Sequence, residues 1–147
     1  MTCRASRSIL IDARPEEVWT TLADFDSISD WGTGVGHSTL LTHAAAGVGA
    51  VRRVQVGRNT LRETIVGWDP PNRLSYTITG LPIVVRQASN TWTLMAEGSG
   101  TRVTLTSEVS VPRPPFVGRL VARRMASAST QLLAGLADHH RRTEDQS

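Results

Sequence analysis

Two periods of hydrophobic and polar positions run through this chain. Residues 3–12 alternate, with Cys3, Ala5, Arg7, Ile9 and Ile11 on one side and Arg4, Ser6, Ser8, Leu10 and Asp12 on the other. Alternation predicts a half-buried strand. The segment ARPEEVWTTLADF then changes period: Val18, Trp19, Leu22 and Phe25 recur at helical spacing and make a buried stripe. Pro15 suits a first helical position, and Glu16 and Glu17 suit the positive end of the dipole. Arg14 is a poor cap, so the start of this helix is loosely specified. DSISDW (26–31) predicts a second short helix, capped by Asp26 or Ser27 and ended by Gly32 and Gly34.

From there the chain reads as strands, over 35–43, 48–56, 60–68, 73–80, 86–96 and 101–111. Gly57-Arg58-Asn59 joins the second and third of these, Asp69-Pro70-Pro71-Asn72 makes a turn, and Glu97-Gly98-Ser99-Gly100 is a hairpin signal. After Pro114-Pro115 the helical period returns, with Val117, Val121, Met125, Ala128, Leu132, Leu136 and His139 on one stripe. Its roughly 27 residues would span about 40 Å. Arg141–Ser147 reads as a frayed tail. Sequential strands with short turns imply an antiparallel meander, and the terminal helix is the one element large enough to cover it.

Side-chain parity predicts what faces inward. With Arg58-Asn59 as a two-residue loop, Val54 pairs with Glu63 and Arg52 with Ile65. Val48, Ala50, Arg52, Val54, Val56, Leu61, Glu63 and Ile65 then share the apolar face, and Val66 and Trp68 fall on the other. Arg52 and Glu63 become diagonal neighbours about 7–8 Å apart. Tyr76, Asn90, Trp92 and Ser107 join this interior from the later strands. An unpaired buried charge is costly, so Arg52 and Glu63 should pair or meet water. Two interiors fit: a solid core holding an ion pair, or an apolar cavity with a few polar anchors. Small residues on the terminal helix (Ala122, Ala126, Ala128, Ser129, Gly135) leave room for the second.

Composition narrows the classes. The 147 residues are enough for one domain, residues 1–147 with an ordered core of about 5–141. The single cysteine, Cys3, excludes an internal disulfide and a thiolate zinc cluster. No apolar run approaches a membrane span, and the first residues lack a signal-peptide core, so a cytoplasmic protein is expected. Sixteen arginines and no lysine face 13 acids, for a net charge of +3. The arginine doublets are scattered and aromatics make up 5%, which does not make a nucleic-acid surface.

The order PEEVWTTLADFDSISDW, GVGAVRR, ETIVGWDPPNRLSYTI, TWTLMAEGSGTRVTLTSEV and a long last helix resembles the START/Bet v 1-like (SRPBCC) superfamily, and within it the polyketide cyclase/dehydrase and lipid-transport group, over residues 6–140. The resemblance implies an α+β helix-grip fold: a curved antiparallel sheet of six or seven strands wrapped around the C-terminal helix, enclosing a hydrophobic cavity. It implies ligands such as sterols, lipids, quinones or polyketides, and in some members polyketide cyclisation or dehydration. Trp31 matches an aromatic often found at the cavity mouth, and Arg52 ends the matching glycine-x-glycine-x-x-arginine, in which it points toward the cavity.

No dedicated catalytic set stands out. His139-His140 reads as a solvated helix end. His37 shares parity with Val35 and Leu41 and is a candidate cavity residue. The expected ligand set is Trp31, His37, Arg52, Val54, Glu63, Ile65, Tyr76, Asn90, Trp92, Ser107, Val121, Met125 and Leu132, with Arg52, Glu63 and Tyr76 as catalytic candidates. No metal or cofactor is expected. Three functions remain open: a carrier for a hydrophobic, lipid- or polyketide-like small molecule, a polyketide cyclase, aromatase or dehydratase, and a protein-interaction module. The chain is expected to be a monomer or homodimer.

Overall fold

Each predicted element appears in the computed structural model, which describes residues 2–81, 85, 87–111 and 115–146. Strand β1 (Thr2–Ile11) leads into α1 (Pro15–Ala23), a 3-10 turn (Phe25–Ser27) and α2 (Ile28–Trp31). Six strands follow: β2 (Val35–Leu40), β3 (Val51–Val56), β4 (Asn59–Asp69), β5 (Arg73–Thr79), β6 (Gln87–Glu97) and β7 (Gly100–Ser110). Helix α3 (Pro115–Asp145) closes the chain. The strands form one antiparallel sheet in the order β1-β7-β6-β5-β4-β3-β2. Helix α3 packs along β1 and β7 and against α2. This is the helix-grip arrangement. The predicted strand start at Arg86 and the prolyl residue Pro114 lie outside the described residues.

The short helices are tied down from a distance. Neither Arg14 nor Ser27 caps its helix through its side chain. Ser38 on β2 does this work for α2, accepting the Ser29 N–H at 3.1 Å and donating to the Asp26 carbonyl at 2.5 Å. Such bonds satisfy orphan groups at a helix end.

Two register details differ from the parity reading. The β3–β4 loop is Gly57-Arg58, with Gly57 at φ +59, where glycine is favoured in a two-residue hairpin. Val54 therefore pairs with Leu61, and Arg52 directly with Glu63. The slip is two residues, so every side chain keeps its face. The second detail does change faces. The β4–β5 ladder shifts between Ile65 and Gly67, and the extra residue there turns Trp68 inward, 5.0 Å from the Trp19 ring. Strand β3 also begins later than expected, because Gly47 and Gly49 turn the chain with φ +85 and +96. Val48 is consequently 69% exposed and lies outside the core.

Helix α3 carries two faces in place of one stripe. Ser129, Leu133, Leu136 and His140 are buried, whereas Met125 and Leu132 are only half-buried. The predicted stripe splits because its first half faces a hollow and its second half packs on the sheet. His140 is buried, not solvated: its Nε2 lies 3.0 Å from Thr21 Oγ1 on α1. The expected frayed tail is also helical as far as Asp145.

Candidate ligand cavity

Between the concave face of the sheet and α3 lies a partly open cavity of about 250 Å³. Its walls are mostly aliphatic, with Val54, Leu61, Ile78 and Val109 from the strands and Met125 and Leu132 from α3. Thr33 and Gly34 of the α2–β2 loop, with Val35 at the start of β2, form one lip, facing Ala128 and Gln131 of α3. That loop sits directly on the helix at Gly135, where a Cβ would meet the Trp31 carbonyl and lie 2.8 Å from Thr33 Oγ1.

One polar strip crosses this wall. Glu63 and Tyr76 are diagonal neighbours on β4 and β5, since Ile65 is the residue that pairs with Tyr76. The Tyr76 hydroxyl accepts the Trp92 indole N–H at 3.1 Å and the Asn90 Nδ2–H at 3.4 Å. Ser107 donates to Asn90 Oδ1 at 2.5 Å and lies 3.3 Å from Ser129 Oγ. Burial pushes the Tyr76 phenol above its ordinary value, and the nearby Glu63 charge pushes it further. Arg52 and the bonds from Trp92 and Asn90 oppose this more weakly. Tyr76 is therefore a neutral phenol at physiological pH.

Beneath the strip is the buried ion pair. Arg52 Nε and Nη2 both lie 2.8 Å from Glu63 Oε1. Arg52 Nη1 donates to the Phe25 carbonyl at 2.7 Å. The guanidinium carbon is 3.8 Å from the Phe25 ring centroid and 4.8 Å from that of Tyr76, distances at which a cation is attracted to a ring face. Glu63 Oε2 has no hydrogen-bond partner among the described residues.

The cavity thus brings together Val54, Glu63, Tyr76, Asn90, Ser107, Met125 and Leu132 of the expected set. Others lie elsewhere. Arg52 sits behind the wall, engaged by Glu63 and Phe25 and not turned toward the space. Ile65 and Trp92 are core residues, and Trp92 reaches the site only through its bond to Tyr76. Trp31 is buried 5.8 Å from the Trp92 ring and does not line the cavity. Val121 packs against a small separate cluster of Ala88, Val109 and Val111. His37 is exposed, because a bulge between Val35 and His37 reverses the parity of β2. The parity reading missed Ser129 as a polar wall residue and Gln131 at the rim. A serine inside a helix looks like any small residue until its partner strand is placed.

Among the described residues, no group of three or more His, Cys, Asp or Glu side chains is placed to hold a metal. No helix there is long and apolar enough to cross a membrane.

Comparison with known proteins supports this architecture. Residues 2–141 match the family described as polyketide cyclase / dehydrase and lipid transport. No match is found among curated proteins. Among solved structures, the chain resembles the ZhuI aromatase/cyclase from Streptomyces sp. R1128 with 19% identity and a TM-score of 0.81, covering 97% of this chain and 95% of that one. The XoxI protein from Bacillus cereus gives 18% identity and a TM-score of 0.81 over 97% and 98% of the two chains. Ara h 8.0201 gives 15% identity and a TM-score of 0.70 over 92% and 98%. At these identities the likeness is one of fold.

Proposed function

Because the chain belongs to the polyketide cyclase / dehydrase and lipid transport family, we propose that it binds a small hydrophobic molecule non-covalently in the cavity under α3. The observation that carries this reading is the cavity itself. It is a largely apolar space of about 250 Å³, crossed by the hydrogen-bonded strip from Tyr76 through Asn90 and Ser107 to Ser129, with Glu63 beside it. Pockets for drug-sized ligands run from about 300 to 1,000 Å³, so this one suits a compact ligand, one or two rings or a short branched chain.

The test is occupancy. Prodan, a neutral two-ring fluorescent probe, should brighten on titration with the protein. Ala128→Trp, at the exposed lip, should fill the space and abolish the signal while circular dichroism stays unchanged. A wild-type protein that never brightens the probe would sink the reading.

A second reading is enzymatic, since one fold neighbour is an aromatase/cyclase. Glu63 favours it, because its Oε2 is an unengaged carboxylate oxygen on the cavity wall. A carboxylate placed there could remove a proton beside a carbonyl group. Arg52 in this reading orients Glu63 and does not touch substrate. Deuterium exchange at the α-carbon of an enolisable ketone, above the buffer rate and lost in Glu63→Gln, is the expected outcome. Equal exchange by both proteins would discard the role.

A further inference from the structure

We propose that the N-terminal half of α3 is a docking face for an anionic membrane surface, seated beside the mouth of the cavity. The inward side of this half is already supplied with apolar residues: Val121 and Met125 pack against the cluster of Ala88, Val109 and Val111. Its outward side carries two more that the core does not use. Phe116 is 69% exposed and Leu120 57%. They stand four residues apart and so lie one above the other on the same face. A helix that is apolar on opposite sides is ordinarily covered on both. Here the outer side has no cover among the described residues.

The charge around this pair has one sign. At about 3.6 residues per turn, Arg119 and Arg123 flank the Phe116–Leu120 line on one side and Arg124 flanks it on the other. All three are exposed, and none forms an ion pair among the described residues. The sequence holds no Asp or Glu between Glu108 and Asp138, so nothing on this half of the helix neutralises them. Guanidinium groups bind phosphate oxygens in pairs, and apolar side chains set among basic ones enter the boundary between headgroups and acyl chains. An anionic phospholipid surface satisfies both sets at once. The helix would lie on that surface without spanning it.

The shape of the face favours a bilayer over a protein partner. It is one helix wide and, over residues 116–124, about 14 Å long. A specific protein interface takes about 800 Å² from each partner, with matched shapes; a lipid surface accepts a narrow protruding ridge. The face also continues to the cavity. Leu120, Arg124, Ala128 and Gln131 follow one flank of α3 at steps of four and three, and Ala128 and Gln131 belong to the lip opposite Thr33 and Gly34. Leu120 is about 12 Å along the helix from Ala128, so a surface that touches the one lies near the other. This inference goes beyond the cavity reading, since docking requires no ligand.

Co-sedimentation with vesicles tests it. The full chain should bind vesicles of equal parts phosphatidylcholine and phosphatidylglycerol, leave phosphatidylcholine vesicles unbound, and release in high salt. Each arginine near an anionic surface adds roughly fivefold. The triple variant Arg119→Gln, Arg123→Gln, Arg124→Gln should therefore bind roughly a hundredfold more weakly. Phe116→Ser with Leu120→Ser should lose at least about tenfold with every charge intact. These positions are exposed, so circular dichroism should show the fold unchanged. Phe116→Trp reads the contact directly: its emission should shift to the blue on mixed vesicles and be quenched by brominated acyl chains. Arg53→Gln, Arg58→Gln and Arg62→Gln on the β3–β4 hairpin remove the same charge elsewhere and should leave binding unchanged. Equal loss from both triples, or no loss from Phe116→Ser with Leu120→Ser, would reduce the effect to general electrostatics and overturn the inference. A wild type that ignores the vesicles would overturn it too; if that protein binds polyglutamate through Phe116 and Leu120, the face belongs to an acidic protein partner. Vesicle binding without Prodan brightening in lipid-free buffer would uphold docking and remove the cavity reading, and the reverse result would remove docking alone.

Discussion

At the scale of single residues, the Arg52–Glu63 pair is the most exacting feature. Both side chains are almost wholly buried, at 3% and 7% exposure. Taking two charges out of water is expensive, so removing one partner costs more than removing both. Arg52→Met should leave an unpaired carboxylate and an unbonded Phe25 carbonyl, and cost about 3–5 kcal/mol. Arg52→Met with Glu63→Leu should recover a large part of that loss. Urea midpoints of the two single variants and the double variant complete the cycle; a double variant weaker than Arg52→Met alone would contradict this account. The pair was legible in the sequence because both residues share the parity of their apolar neighbours. Its directness was not, since a hairpin slipped by two residues has the same alternation. Residues beyond a bulge were misassigned for the same reason. Trp68 and His37 each follow an irregularity that alternation does not announce.

Between elements, the contact of α1 with α3 turns on His140. Its imidazole is buried, bonded to Thr21 across the interface, and lies beside His139, with their ring centroids 5.6 Å apart. Burial lowers its affinity for a proton and the neighbouring His139 lowers it further, while Glu17 acts in the opposite sense. A histidine whose native pKa lies below its unfolded value contributes stability that is whole above about pH 6.5 and is lost as pH falls through that value toward the native one. The melting temperature should therefore drop between about pH 7 and pH 5 more steeply in the wild type than in His140→Asn. Parallel curves would remove His140 from the account. The sequence suggested a solvated helix end because His139-His140 follows Asp138 at the end of the terminal helix, where a cation favours the dipole, and the apolar stripe was drawn through Leu132, Leu136 and His139. In the folded chain the most buried line of this half of α3 passes through Leu133, Leu136 and His140.

For the whole molecule, the element order and the inward face were readable because short turns leave few ways to arrange a meander. The polar strip was half readable: Tyr76, Asn90 and Ser107 came from strand parity, whereas Ser129 came from a distant helix. If the cavity takes its ligand as proposed, occupancy must raise global stability. A ligand at 100 times its dissociation constant adds about 2.7 kcal/mol, which for a chain of this size is a rise of roughly 5–10 °C in melting temperature. No rise for the fluorescent probe at such a concentration, with its brightening showing binding, would mean that it binds the unfolded chain as well. The open sheet has one more consequence. It leaves two edge strands, and exposed edges invite pairing with other chains. One edge, β1, runs beside α3, and the other, β2, is six residues long and bulged between Val35 and His37. The bulge that turns His37 outward thus also denies neighbouring molecules a straight strand to copy, and guards a half-open sheet against fibrous aggregation.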